Sequence, residues 1–214
     1  MKSRSIRSRL ILIFGSLIIF SLLLIGTVSN ILADRSVTAL TKMSLKNDVD
    51  AIYRTLDLAY RLSLQKQAGN IEVAGYHTRG MTLDNDKLIE TEAIDQISRQ
   101  GKTIKIPTME LNGIPIYQNN KLIRLINEQL DTTVTIYQKI DSGFLRISTN
   151  IMTNEGKLAT GTYIPNSSPV AQSLEQGRDY VGRAYVVNGW YITAYRPIKD
   201  QSGKIIGAIY TGLN

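Results

Sequence analysis

The chain has 214 residues and no cysteine, enough for one ordinary domain with an appended element but without a disulfide frame, a thiolate metal site or a cysteine nucleophile. Its formal charge of +7 is uneven, the first 35 residues carrying +4 and the remainder +3. That remainder is too balanced for a nucleic-acid footprint, so no nucleic-acid partner is expected.

The excess charge belongs to residues 1–9, "MKSRSIRSR", a basic tail that precedes the uncharged run "LILIFGSLIIFSLLLIGTVSNILA" over residues 10–33. As a helix rising 1.5 Å per residue, this run reaches roughly 36 Å, enough to cross a hydrocarbon core of about 30 Å. The positive-inside rule keeps the tail in the cytoplasm and sends everything from Asp34 onward to the far side of the membrane. The run is longer than a signal-peptide core and ends in "SNILADRS" without a clear cleavage pattern. The expectation is an uncleaved signal-anchor of a cell inner or plasma membrane, single-pass as given, with Asp34 to Asn214 extracytoplasmic.

From Asp34 to about Gln67 there is no proline or glycine, and Leu45, Val49, Ile52, Leu56 and Ala59 recur in steps of 4, 3, 4 and 3. This spacing predicts a helical stalk with a narrow apolar seam. The seam suits either packing on the chain's own domain or a homodimer through the stalk helix. The three glycines of "AGNIEVAGYHTRGM", residues 68–81, suggest a loop. A second helix is expected from about Asp84 to Gln100, closed by Gly101, so that residues 34–100 form a helical stalk and a membrane-distal helical part.

Over residues 101–214 short β-type runs alternate with turns. "TIKIP" and "MELNGIPIY" flank Asn112-Gly113, "KLIRLINEQL" reads as an amphipathic helix, and "VTIYQKI" and "FLRISTNI" flank Asp141-Ser142-Gly143. "KLATGTYI" and the capped helix "SPVAQSLEQG" follow. The Asn188-Gly189 pair predicts a hairpin turn, and "GKIIGAIYTGL" is the last strand. Connections this short require mostly antiparallel neighbours, giving an α+β domain with a twisted antiparallel sheet.

Pairing across Asn188-Gly189 would oppose Arg183 with Ala194 and Tyr185 with Ile192, and would place Arg183, Tyr185 and Trp190 on one face and Tyr191 and Tyr195 on the other. Neither face looks solvent-like, so cover on both sides is expected. A guanidinium in an apolar wall is costly unless an anion meets it. Arg146 or Arg183 can take a bound carboxylate through a bidentate pair, or an internal acidic residue; tyrosines such as Tyr163, Tyr185 and Tyr195 also suit core packing. His77 is the only histidine. HExxH, phosphate-loop and nucleophile-elbow motifs are missing, and carboxylates such as Asp84/Asp86 and Glu90/Glu92 read as a solvated face, so no enzymatic activity, metal or cofactor is expected.

The block "VTIYQKIDSGFLRISTNI", "GTYIPNSSPVAQSLEQG" and "YVGRAYVVNGWYITAYRPIKDQSGKIIGAIYTGL" closely resembles the single Cache sensor domains of the fused Cache-three/Cache-two class. These are extracytoplasmic input domains of bacterial methyl-accepting chemotaxis receptors and of some histidine kinases and diguanylate cyclases. The resemblance implies a long N-terminal helix on a PAS-like antiparallel sheet, with a small-molecule pocket between the sheet and its covering loops. It implies a ligand-binding set of Arg146, Tyr163, Arg183, Tyr185, Trp190 and Tyr195, with a small anionic metabolite as ligand and a carboxylate favoured. Arg196 departs from the acidic residue expected before Pro197-Ile198 and is left out. Such receptors continue into a second membrane helix, a HAMP linker and a signalling module, so this chain corresponds to the input half. A pilin-like subunit would need a glycine before the apolar run and a glutamate within it, where this chain has Arg9 and none; a membrane-tethered hydrolase would need a clustered nucleophile and base.

Overall fold

One helix, α1 (Ile6–His77), carries the chain from its apolar run to the start of the sheet. The computed structural model describes residues 6–213; Lys2 and Arg4 of the basic tail lie outside them. The chain divides into two units, Met1–Leu58 and Ala59–Asn214.

The first unit is helical. Its apolar window has a mean hydropathy of 2.7 and is long enough to cross a membrane, and its side chains point outward all round the helix, as a lipid-facing span requires. Ser16 and Ser21 donate to the carbonyls of Ile13 and Ile18, and Thr27 to those of Leu23 and Leu24, so these hydroxyls need no outside partner. Further along, Leu45, Val49, Ile52 and Leu56 are all exposed, an apolar seam uncovered by the chain itself.

The second unit begins with the last turns of α1. Gln67, Asn70, Ile71, Ala74 and Thr78 are buried in steps of 3, 1, 3 and 4, one face of a helix. The loop expected over residues 68–81 is therefore a continuation of α1 to His77, closed by a turn at Gly80 (φ +81°). Burial of this face outweighs the roughly 1 kcal/mol by which each helical glycine disfavours the helix relative to alanine. At Gly75 a close approach needs the missing side chain, because a Cβ there would lie 2.9 Å from Arg196 Cδ.

The helix expected over Asp84 to Gln100 is instead a strand, β1 (Met81–Asp95), paired antiparallel with β2 (Gly101–Leu111). A bulge between Asp84 and Leu88 breaks the alternation at its centre. Beyond it, Thr91 and Ala93 are buried while their neighbours Glu90 and Glu92 are exposed. This period-two pattern and pairing with β2 override the helix-like polar composition.

After β3 (Ile114–Pro115) comes α2 (Asn120–Leu130), capped by Asn119, whose Oδ1 accepts from Lys121 N at 3.2 Å. The rest follows the expected order: β4 (Thr133–Ile140), β5 (Gly143–Thr149), β6 (Thr162–Pro165), α3 (Pro169–Glu175) with Ser168 as N-cap, β7 (Tyr180–Val186), β8 (Gly189–Lys199) and β9 (Ile205–Leu213). The nine strands form one sheet in the order β3-β2-β1-β6-β5-β4-β9-β8-β7. Every pairing is antiparallel except the short parallel contact of β1 with β6, which makes the sheet mixed. The fold is the α+β, PAS-like arrangement with a long N-terminal helix.

Both faces are covered, by different elements. One buries Ile71 and Ala74 of α1 and Ile123 and Ile126 of α2 against Val134, Ile136, Leu145, Ile147 and Ile209. The other buries Val170, Ala171 and Leu174 of α3 against Tyr137, Phe144, Ile164, Tyr195 and Tyr210.

Candidate functional site

The β7–β8 hairpin turns one residue earlier than expected. Tyr185 pairs with Trp190 and Arg183 with Ile192, so Val187 and Asn188 form the turn in place of Asn188-Gly189. Val187 adopts φ +54°, unusual for a β-branched residue, and is nearly fully buried in the α3-side core. Burial of its side chain, and the bond from Arg99 Nη2 to its carbonyl at 2.6 Å, outweigh the local preference of Asn-Gly for the turn.

Alternation along β7 and β8 still separates the residues as parity requires. Tyr191 and Tyr195 face the α3-side core. Arg183, Tyr185 and Trp190 lie on the other face of this outermost hairpin and are exposed, Trp190 by 60%. The cover expected over both faces is missing here because α1 and α2 pack on strands nearer the centre of the sheet. Arg183 instead lies over the ring of Trp190, 5.2 Å from its centroid, and Tyr185 meets the same ring edge-on at 5.9 Å.

A cleft of about 370 Å³ opens between this hairpin, the N-terminal end of α3 and the β1–β2 turn. Ile164, Val170, Ala184, Tyr180 and Tyr195 give it apolar and aromatic walls; Arg183, Tyr185 and Trp190 line it from the outermost strands; Gln96 and Ile97 close it from the β1–β2 turn. Four of the six expected ligand-binding residues, Arg183, Tyr185, Trp190 and Tyr195, thus share one cleft.

Arg146 does not line it. Its guanidinium is fully buried, with Nη2 donating to Tyr137 Oη at 2.6 Å, Nη1 donating to Thr162 Oγ1, and Nε unpartnered. Its charged carbon lies 5.1 Å from the centroid of the Tyr137 ring. Among the described residues no carboxylate pairs with it. Arg146 connects to the cleft through side chains: Tyr137 lies 6.1 Å, centroid to centroid, from Tyr195, a cleft wall. Burial pushes the Tyr137 phenol up while the Arg146 charge opposes that shift, and Tyr195 is pushed well above its usual range by burial and then by the Tyr137 and Tyr210 phenols. Both phenols therefore stay neutral.

Tyr163 stands apart. Neighbouring Ile164 enters the α3-side core, so Tyr163 packs on the α1-side cluster; burial and then the charge of Asp95 raise its pKa. His77 Nε2 meets Gln129 Oε1 at 2.9 Å near the end of α1, away from the cleft-lining residues.

Several residues escaped sequence reasoning. Gln96 and Ile97 reach the cleft only because β1 is a strand. Arg196 binds two carboxylates, Glu72 of α1 and Asp179 before β7, and both raise its pKa, Glu72 most. Tyr180 carried a legible signal, since it alternates on β7 with Ala184.

Residues 30–214 match the family model described as Cache 3/Cache 2 fusion domain. Eight chains among solved structures are similar. One, titled "Crystal Structure of the E.coli DcuS Sensor Domain", is 19% identical with a TM-score of 0.31, the match covering 44% of this chain and 63% of that one, so the chain spans less than two thirds of its length. The curated proteins contain no match. With the whole of the second unit and α1 from residue 30 onward inside the matched range, the chain belongs to the Cache 3/Cache 2 fusion family of sensor domains.

Proposed function

We propose that the chain is the input domain of a membrane-anchored bacterial receptor, of the methyl-accepting chemotaxis class, that recognises a small anionic metabolite and catalyses no reaction itself. The observation that carries this reading is Arg146, a fully buried guanidinium without a carboxylate partner among the described residues. An uncompensated buried cation costs several kcal/mol, and its field favours a negative charge in the cleft beyond Tyr137 and Tyr195. The exposed seam of Leu45, Val49, Ile52 and Leu56 supports a homodimer through the stalk.

A ligand shifts such a receptor only by binding one arrangement more tightly than the other. Strand β9 is the natural transmitter because its two faces enter different cores. Ala208 and Tyr210 pack on the cleft side, and Ile206 and Ile209 on the side of Ile71 and Ala74 of α1. Movement of β9 relative to α1 would carry occupancy of the cleft toward the membrane.

The test is a thermal-shift screen of the full chain in lipid nanodiscs against small carboxylates, amino acids, purines and polyamines. A compound at 100 times its dissociation constant raises stability by about 2.7 kcal/mol if it binds only the folded state. Stabilisation by a carboxylate is the expected result; a response confined to polyamines or purines would refute the anionic reading.

A further inference from the structure

Besides the charge of Arg146, which is buried behind the wall of the cleft, the cleft has an unmet demand of its own. Gln96 is 5% exposed and lines the cleft from the β1–β2 turn. Its Nε2 donates to the Tyr185 carbonyl at 3.3 Å, which fixes the orientation of the amide and leaves Oε1 as the remaining acceptor. That buried Oε1 finds no hydrogen-bond partner among the described residues. A carboxylate cannot satisfy it, because an ionised carboxylate only accepts.

Resting on the anion-sensor reading above, the geometry points to a more specific ligand class: a carboxylate with an apolar, preferably aromatic, body that also bears a hydroxyl or amino donor. Ile164, Val170, Ala184 and the Tyr180 and Tyr195 rings would cover the body. A short polyanion would instead bring carboxylates against these walls and lose hydration without repayment. Among the described residues Arg183 is the one cationic residue lining the cleft; its exposed side chain starts on the other face of the edge strand β7, from which it can turn over the rim, and no carboxylate pairs with it, so one carboxylate suffices. Gln96 Oε1 takes the donor. A volume of about 370 Å³ lies at the low end of small-molecule pockets, roughly 300–1,000 Å³, which suits a single ring with a short polar head.

The test uses Trp190, the only tryptophan in the chain and a cleft-lining residue, as its own reporter. The full chain in nanodiscs is titrated with 3-phenyllactate, 3-phenylpropionate and succinate, following Trp190 emission and, independently, calorimetric heat. The class requires phenyllactate to bind with a blue shift of Trp190, phenylpropionate to bind about tenfold more weakly because Gln96 stays unpaired, and succinate to bind more weakly still. Arg183→Gln, at an exposed position, should weaken phenyllactate roughly tenfold or more. Gln96→Leu should remove the difference between the two aromatic acids, an effect that general loosening of the hairpin would not produce. If Gln96→Leu does not fold, the wild-type comparison of the three acids and Arg183→Gln still decide. Tight succinate binding with none by phenyllactate would overturn this ligand class while leaving the anion-sensor reading intact. Equal binding of both aromatic acids to wild type, or calorimetric silence with all three, would also overturn it, the broader screen then deciding whether any anion is sensed.

Discussion

Arg196 Nη1 donates to Glu72 Oε2 at 2.7 Å, tying β8 to the last turns of α1. The same guanidinium grips Asp179, through Nε at 3.1 and 3.0 Å and Nη2 at 2.6 Å. Asp179 immediately precedes Tyr180, Arg196 immediately follows Tyr195, and Tyr180 pairs with Tyr195 across the hairpin. Two aromatic walls of the cleft are therefore direct chain neighbours of the clamp that holds α1.

The clamp has a pH signature. The Arg196 hydrogen bond, followed by its charge, holds the Glu72 carboxylate below its ordinary value near 4.5. A depressed folded-state pKa contributes stability that is present above the unfolded value and lost as pH falls through the folded one. Thermal melts from pH 7 to pH 3 should show wild type losing its advantage over Glu72→Gln below about pH 4.5. The gap should also shrink in 1 M salt, since both partners reach solvent. A gap unchanged by acid and salt would mean that the pair contributes nothing.

Arg146→Met keeps most of the volume and removes the buried charge. The lost bonds to Tyr137 and Thr162 and the relieved desolvation oppose each other, so the melting free energy should stay within about 1–2 kcal/mol of wild type or rise. Binding of any anionic ligand should fall. A loss of 4 kcal/mol or more in chemical denaturation would show instead that Arg146 is kept for stability.

Gly143 allows β5 and β6 to meet. Its φ is +147°, and a Cβ would lie 1.9 Å from the Ile164 carbonyl oxygen. Gly143→Ala should cost about 3 kcal/mol or more through overpacking and backbone strain. Because Ile164 is a cleft wall, circular-dichroism melts and ligand titration should show stability and binding failing together.

The stalk seam is testable on a background without cysteine. Ile52→Cys should crosslink two copies under mild oxidation in nanodiscs, whereas Asn47→Cys, on the opposite side of the helix, should yield severalfold less. Equal yields at the two positions would remove the seam as a dimer contact.

Local pattern was sufficient for the membrane-length run, α2, α3 and strands β4, β5, β7, β8 and β9, because each satisfies its own period of 3.6 or 2 and carries its own caps or turns. The family resemblance rested on those same strands. Other features turned on distant partners. Residues 68–77 remain helical because Ile71 and Ala74 are buried against the sheet, and residues 81–95 extend because β2 lies beside them. The hairpin turns at Val187 because its side chain is worth more in the core than Asn-Gly is in the turn. Sequence alone marked Arg146 and Arg183 as cations that a bound carboxylate or an internal acidic residue could meet. The tertiary structure alone decided that Arg146 is sealed behind Tyr137 while Arg183 lines an open cleft, and that Arg196 is already paired. A guanidinium's charge is a local property, whereas its burial and partners depend on chain segments more than a hundred residues away, as Glu72 is from Arg196.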